Sequence, residues 1–119
     1  MTVKNLNPEY IELQSLLRKK SRDTKVKIWQ TIANKLDVSK HRRISINVSR
    51  VNRYSTDGET IAVPGKVLSA GNLDHKLSVA AFSFSKQAKE KIEKAGGECL
   101  TFQVLVNRNP KGTNIKIIG

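Results

Sequence analysis

The sequence predicts an α/β protein in which an N-terminal helical hairpin is followed by a small mixed domain built on a sheet. Apolar residues recur at helical spacing between residues 8 and 36, whereas β-like runs dominate residues 44–84. A chain of 119 residues is long enough for one hydrophobic core and too short for two independent ones. We therefore expect one domain over 1–119, with a basic helical extension at 1–43 and an α/β core at 44–119.

The first predicted helix covers residues 8–20. Asn7 can cap it, Pro8 suits its first position, and Leu13, Leu16 and Leu17 recur at helical spacing.

A second helix is expected to begin near Asp23 or Thr24. Its apolar residues, at i, i+3, i+4 and i+7, are Trp29, Ile32, Ala33 and Leu36. This stripe can pack on the first helix. The pair therefore forms a hairpin, with its connection at about Ser21 to Asp23.

Residues 44–51 fit two local structures. Ile44, Ile46 and Val48 alternate as in a strand, but Asn47 or Ser49 could cap a short helical turn. Both interpretations stay open at this point.

The following residues indicate the main strands. Asp57-Gly58 marks a tight turn, and two β-like runs, at 60–63 and 66–68, are broken by Pro64-Gly65. Residues 77–84 form the clearest strand. It should place Val79 and Ala81 on one face and Phe82 and Phe84 on the other.

The last third predicts one firm helix and one ambiguous segment. Ser85 caps a helix whose apolar face holds Ala88, Ile92 and Ala95, and Gly96-Gly97 ends it. Residues 102–106 fit either a helix capped by Thr101 or a buried strand. After a turn at 109–112, residues 115–118 suit a terminal strand.

Charge is the strongest compositional signal. The chain has 22 Lys and Arg against 10 Asp and Glu, for a net charge of +12. Residues 1–53 hold 13 of these basic residues and 4 acids, a net +9. Two clusters dominate that half: Arg18, Lys19, Lys20, Arg22, Lys25 and Lys27, and then Lys40, Arg42, Arg43, Arg50 and Arg53.

These clusters favour a polyanionic partner over a merely solvated basic face, because dense like charges repel until they are neutralised. A membrane-surface helix would need bulky apolar residues opposite its basic face, and the fold already uses them. Nucleic acid is the leading partner. Only six aromatic residues occur, most of them at buried-looking positions, so backbone and shape recognition of folded RNA or duplex is expected.

The sequence offers no catalytic constellation. Side chains of the adjacent pair Asp74-His75 should diverge, which leaves His75 and Lys76 at an exposed basic loop tip. His41 beside Lys40 is interpreted similarly, as a polar contact to phosphate or sugar. Cys99 has no obvious partner base and is interpreted as a small apolar residue. We therefore expect no enzyme activity, metal, cofactor, small-molecule substrate or membrane span.

Five strings together carry a family resemblance. They are Val48-Ser49-Arg50-Val51-Asn52-Arg53-Tyr54, Val63-Pro64-Gly65-Lys66-Val67-Leu68, Val79-Ala80-Ala81-Phe82-Ser83-Phe84-Ser85, Ala95-Gly96-Gly97-Glu98 and Ile117-Ile118-Gly119. In this order they resemble the eukaryotic and archaeal large-subunit ribosomal protein eighteen family, whose C-terminal fold is related to bacterial ribosomal protein fifteen. The compact chain resembles the archaeal members.

The resemblance implies a non-catalytic, cytoplasmic component of the large ribosomal subunit, with irregular β-β-α units lying against ribosomal RNA and beside neighbouring ribosomal proteins. It also implies RNA contacts from Lys40 to Arg53 and from loops carrying Lys66 and Asp74-His75-Lys76. Combined with the charge map, the candidate RNA-binding residues are Arg18, Lys19, Lys20, Arg22, Lys25, Lys27, Lys40, His41, Arg42, Arg43, Arg50, Arg53, Lys66, His75 and Lys76.

The competing hypothesis is a DNA-binding regulatory protein whose first two helices act as a helix-turn-helix. Such a protein would need base-reading side chains on its second helix. Only Gln30 and Asn34 could serve there.

Replacing both Arg42 and Arg43 by alanine is expected to weaken RNA binding while leaving thermal unfolding nearly unchanged. These residues belong to a run, 37–43, in which no apolar period is visible, so they should contribute charge and little burial. Affinity for large-subunit RNA and the unfolding midpoint are the two measurements. Equal loss of both would mean that this arm is structural.

Overall fold

The structure is a computed structural model that describes residues 8–36 and 44–118. The elements in chain order are α1 (Pro8–Thr24), α2 (Lys27–Leu36), β1 (Ile44–Asn47), α3 (Val48–Arg53), β2 (Thr60–Leu68), β3 (Ser78–Phe84), α4 (Lys86–Lys94), β4 (Glu98–Leu100), α5 (Phe102–Arg108) and β5 (Ile115–Ile117). The predicted α/β class, with helices preceding a β/α domain, is confirmed.

A five-stranded parallel sheet organises the chain around β2. On one edge β2 pairs with β3, which in turn pairs with β4. On its other edge β2 pairs with β5 along Thr60 to Ala62 and with β1 along Gly65 to Leu68. Two short strands thus share one edge of the longest strand.

Side chains from this sheet alternate between two hydrophobic cores. Ile61, Val63, Val79 and Ala81 pack with α3 and α4 in what we call the α3-side core. Ala62 and Ala80 pack with α1, α2 and α5 in the hairpin-side core. The result is three layers, with helices on both faces, as parallel sheets require.

The helical hairpin is confirmed, but its connection lies later in the chain than predicted. Helix α1 continues to Thr24, and the turn is Lys25-Val26, with Lys25 at φ +60°. Thr24 does not cap α2, because its hydroxyl donates to the carbonyl of Lys20, 2.7 Å away, inside α1. The predicted connection at Ser21 to Asp23 and the predicted start of α2 are therefore wrong.

The two helices pack antiparallel and are joined to the rest of the fold. Gln14 donates to the carbonyl of Ala33, and Ser21 donates to the carbonyl of Val26. The predicted stripe on α2 is buried, and Trp29 at its N-terminal end donates through Nε1 to the carbonyl of Pro110, 2.9 Å away. This bond ties the hairpin to the loop after α5.

Residues 44–51 contain both of the predicted structures, first a strand and then a short helix. Residues 44–47 form β1, and α3 follows at once with Asn47 in the N-cap position. The ambiguity at 102–106 resolves as helix α5, because the Thr101 hydroxyl accepts from the amide of Val104. The predicted Ser85 cap on α4 is confirmed by a bond from the amide of Ala88.

Strand β2 runs without a break through Pro64-Gly65, contrary to the predicted interruption. Its register against β3 shifts there, so that two residues of β2 oppose the single Phe82 of β3. Such a bulge increases local strand twist. Phe82 packs on the hairpin-side core, but Phe84 packs on the α3-side core, so the predicted common face of the two rings is wrong.

Parallel strands β2 and β3 are joined by a segment without a helix, residues 69–77, which we call the crossover segment. Parallel connections usually need a dozen or more residues and a helix. Here the segment passes α3 and the residues that follow it. Its amide and carbonyl groups bond to Ser49, Asn52 and Asp57, and Lys91 Nζ donates to two of its carbonyls at 2.6 Å.

Gly58 and Gly71 have similar φ angles, and substitutions at these two positions test how closely the crossover segment packs on α3. Gly71 (φ +91°) faces Ser49, and an added Cβ would overlap the Ser49 Cβ, whereas Gly58 (φ +84°) faces open space. Gly58→Ala is expected to cost about 1–2 kcal/mol for the left-handed backbone. Gly71→Ala should cost a further 1–3 kcal/mol, roughly, for overpacking.

Denaturant unfolding of both variants measures the difference. Equal destabilisation by the two substitutions would contradict the close packing of the crossover segment on α3.

Candidate nucleic-acid interface

The first basic group surrounds the turn of the helical hairpin. We call it the hairpin cluster, and it comprises Arg18, Lys19, Lys20, Arg22, Lys25 and Lys27. Lys19, Arg22, Lys25 and Lys27 are exposed, whereas Arg18 and Lys20 are partly buried. The structure thus brings all six candidate residues to the same end of the hairpin, as the sequence predicts.

Lys111 joins this cluster from a distant part of the chain. The preceding Pro110 accepts the bond from Trp29, and the following Gly112 lies so close to α2 that an added Cβ would be 2.5 Å from Ile28 Cγ2. Lys111 itself is exposed. Sequence reasoning identified a turn that presents this lysine but had no signal to place it beside residue 28.

Two members of the second basic group, Arg50 and Arg53, lie within the described residues. We call this pair the α3 cluster. Both lie on the outer side of α3, whose Val48 and Val51 are buried in the α3-side core. The α3 cluster therefore lies on the opposite side of the sheet from the hairpin cluster. Lys40, His41, Arg42 and Arg43 lie outside the described residues.

Lys66 is the one exposed side chain of β2, so the expected position of this lysine in a loop is wrong. Its neighbour Val67 packs in the α3-side core, so strand alternation directs Lys66 toward the hairpin side of the sheet. Lys66 pairs in register with the exposed Ser45 of β1. This lysine is therefore separate in space from the α3 cluster.

His75 is not at an exposed loop tip, which corrects the sequence prediction. Its side chain is only 17% exposed, with Nε2 2.8 Å from Ser55 Oγ and Nδ1 2.9 Å from Asp74 Oδ1. The expected divergence of Asp74 and His75 is also wrong, because the amide of Asp74 is held by Asn52 Oδ1 and the segment bends at His75. The side-chain hydrogen bond with His75 is the main cause that lowers the pKa of the Asp74 carboxyl, and the hydrogen bond with Asn52 lowers this pKa further.

Ser55, His75 and Asp74 contain the residue types of a hydrolytic triad, but their bonding is structural. The Ser55 hydroxyl donates to the carbonyl of Val51 at 2.6 Å, so its proton is directed at the end of α3 and away from the imidazole. A triad serine must instead give its proton to histidine. The three residues therefore fasten the crossover segment to α3, and Lys76 follows them as a cation on the surface.

Several acids are engaged by their own neighbours. Glu98 accepts from Arg108 and Ser78, and the Arg108 bond is the main reason that the pKa of Glu98 is lowered. Glu59 accepts from the amide of Thr56, which lowers its pKa, and also faces Lys116. These carboxylates do not neutralise the hairpin cluster or the α3 cluster.

Cys99 packs against the α3-side core, in agreement with its predicted apolar role. Burial raises the pKa of its thiol to about 11, so the nucleophilic thiolate is scarce at neutral pH. Within residues 8–36 and 44–118 no group of three or more His, Cys, Asp or Glu could hold a metal ion. No helix in that same part of the chain is long and apolar enough to cross a membrane.

The helix-turn-helix alternative gains little from the geometry. Gln30 and Asn34 are exposed on α2, but no further Asn, Gln or Arg joins them on this helix. The hairpin turn has two residues and the helices pack antiparallel, whereas a helix-turn-helix crosses at a wide angle after three or four residues.

Comparison with known proteins gives a consistent family assignment. The profile of the family described as "Ribosomal protein 60S L18 and 50S L18e" matches residues 2–119. The "Large ribosomal subunit protein eL18" of Methanothermobacter thermautotrophicus is 50% identical over 112 residues, which are 94% of this chain and 93% of that protein. Proteins of the same name from Methanosphaerula palustris and Methanococcus maripaludis are 46% and 40% identical, over 98% of this chain and 96% and 97% of theirs. On this full-length similarity, the chain belongs to the family of ribosomal proteins 60S L18 and 50S L18e.

Proposed function

We propose that this chain is a structural constituent of the large ribosomal subunit, which binds ribosomal RNA through basic clusters and stabilises its folded arrangement. The observation that carries the proposal is the match, over at least 94% of the chain, to archaeal proteins named for that subunit. Its partners in this role are large-subunit RNA and neighbouring ribosomal proteins.

The charge of the chain supports RNA as the direct partner. A net charge of +12 on 119 residues is costly for a compact protein unless counter-charges gather around it. Basic side chains that neutralise RNA phosphates release the counterions condensed on the RNA, and this release supplies affinity that does not depend on base sequence. The exposed members of the hairpin cluster are suited to such contacts.

The separation of the clusters by the sheet supports a bridging role. The hairpin cluster with Lys111 neutralises phosphates on one RNA helix, and the α3 cluster, with Lys40 to Arg43, neutralises those on another. The three-layer body between them holds the two RNA segments in a fixed arrangement during assembly. Lys66 and Lys76 extend this contact surface.

Arginine and lysine have different roles in this proposal. The planar fork of Arg50 or Arg53 can bridge two phosphate oxygens or stack on a base. The lysines of the hairpin cluster act as mobile point charges. His75 has both ring nitrogens engaged and serves as a positioning residue for the segment that carries Lys76.

Salt dependence tests the electrostatic part of the proposal. If roughly 6–8 phosphates are neutralised, the logarithm of affinity for archaeal large-subunit RNA should fall against that of salt concentration with a slope of about −5 to −7. Binding to the RNA is measured from low to high salt, with duplex DNA as competitor. A slope near zero would remove the electrostatic argument, and preferential binding to the DNA would favour the helix-turn-helix alternative.

Paired substitutions test whether both clusters contact RNA. Arg22→Ala with Lys27→Ala, and separately Arg50→Ala with Arg53→Ala, should each make the salt slope shallower by about 1–2, because each lost phosphate contact removes about 1. Thermal unfolding should change little, since all four side chains lie on the surface.

The matched control is Lys89→Ala with Lys94→Ala on α4, which removes the same charge where Glu90 and Glu93 are interleaved. Its slope should stay near that of the unaltered protein. If the control loses as much as the cluster variants, binding depends on net charge alone and the assignment to clusters fails.

A further inference from the structure

The aromatic ring of Tyr54 is exposed. The other aromatic rings whose burial the structure describes are buried at least in part. The exposed fraction of Tyr54 is 49%, whereas Trp29 and Phe102 are buried and Phe82 and Phe84 are partly buried. The Tyr54 ring belongs to neither hydrophobic core, so it does not contribute to the packing of the cores. The ring is therefore available to a ligand, and it lies beside the basic residues Arg50 and Arg53.

The backbone that carries this ring is held in place. Tyr54 ends α3, where its amide donates to the carbonyl of Arg50 at 3.2 Å. Its own carbonyl accepts from Lys116 Nζ at 3.0 Å, and the same ammonium lies 3.5 Å from Glu59 Oε2. Such anchoring reduces the entropy that a ligand would otherwise lose in ordering the site.

The surroundings of the ring are both cationic and apolar. The Arg50 guanidinium carbon lies 5.7 Å from the centre of the Tyr54 ring, within cation–π range. Between α3 and β5 lies a groove of about 260 Å³, lined by Arg50, Tyr54, Lys116, Ile117 and Ile118. Arg53 is exposed one residue before the ring, and Glu59, the acid beside Lys116, is already engaged by Thr56.

We propose that Tyr54 and Arg50 form a stacking site for an unpaired nucleobase of the ribosomal RNA, with Arg53 on an adjoining phosphate. The inference rests on the proposed function and deepens it, since it assigns Arg50 to a base, together with the Tyr54 ring, and Arg53 to the adjoining backbone. An aromatic face with an adjacent guanidinium is the combination on which unpaired bases stack. A protein partner would place apolar side chains here, but Arg50 and Arg53 favour a polyanion.

Three substitutions at one position separate stacking from other contacts. Tyr54→Leu keeps an apolar side chain but removes the ring, and it should weaken binding to archaeal large-subunit RNA by about 5- to 100-fold. Tyr54→Phe should bind like the unaltered protein, and Tyr54→Trp at least as tightly. The indole that Tyr54→Trp introduces should also have its fluorescence quenched by the RNA, against the constant signal of buried Trp29.

The salt slope distinguishes this site from a phosphate contact. Tyr54→Leu should lower affinity at every salt concentration with an unchanged slope, whereas Arg53→Ala should make the slope shallower by about 1. Val104→Ala, which trims an exposed apolar residue on α5, is the matched control and should change neither quantity. Unfolding midpoints of all variants show whether each is folded.

Failure of the site and failure of the proposed function give different results. If Tyr54→Leu is folded and binds the RNA as tightly as the unaltered protein, the stacking site is wrong while the proposed function stands. If Tyr54→Phe loses as much as Tyr54→Leu, the hydroxyl rather than the ring is used, and stacking is again wrong. If the unaltered protein itself shows no salt-dependent binding to the RNA, the proposed function falls and the stacking site falls with it.

Discussion

The crossover segment is the constraint on which the rest of the structure depends. Strands β2 and β3 are parallel, yet the chain returns between them without a helix whose own hydrogen bonds would satisfy the backbone. Side chains from other elements instead bond the amides and carbonyls of this largely exposed segment. Asn52, Asp57 and Lys91 supply the bonds, and Ser55 and His75 add a link between side chains.

This arrangement connects the fold to the candidate interface. Most of the groups that satisfy the crossover segment come from α3 and the residues just after it, so α3 is immobilised by the same bonds. Arg50, Arg53 and Tyr54 are consequently presented on a fixed backbone. The hairpin cluster is fixed separately, through the burial of Trp29 and its bond to Pro110.

Local patterns were predictable from the sequence, and contacts between distant segments were not. The buried stripe of α2, the Ser85 cap and the strand at 78–84 each depend on residues within one element. The position of the hairpin turn was missed because Thr24 bonds back into α1, a choice that residue type alone does not determine. Phe82 and Phe84 pack on different cores, so the side-chain alternation of β3 is not kept where its register with β2 shifts.

The candidate interface could likewise be predicted only where it depends on residues close together in the sequence. The basic residues and the hairpin cluster were evident from the sequence, but the addition of Lys111 to that cluster was not. Lys111 is placed there by contacts between segments far apart in the chain, such as the bond from Trp29 to Pro110, which are separated by 81 residues. The Ser55 and His75 contact, 20 residues apart, was likewise invisible. Tyr54 lies at the C-cap of α3, after the turn whose Val48 and Val51 are buried, and its ring is exposed.

The fold separates two groups of basic residues that lie close together in the sequence. Most of the positive charge precedes residue 54, but β1 enters the sheet edge between α2 and α3 and carries the chain from one face to the other. With layers roughly 8–10 Å apart, the two outer helical surfaces are separated by about two Debye lengths at physiological salt. Repulsion between the clusters is therefore largely screened. Each cluster can attract its own stretch of phosphates without weakening the other, which is the electrostatic condition for holding two RNA segments at once.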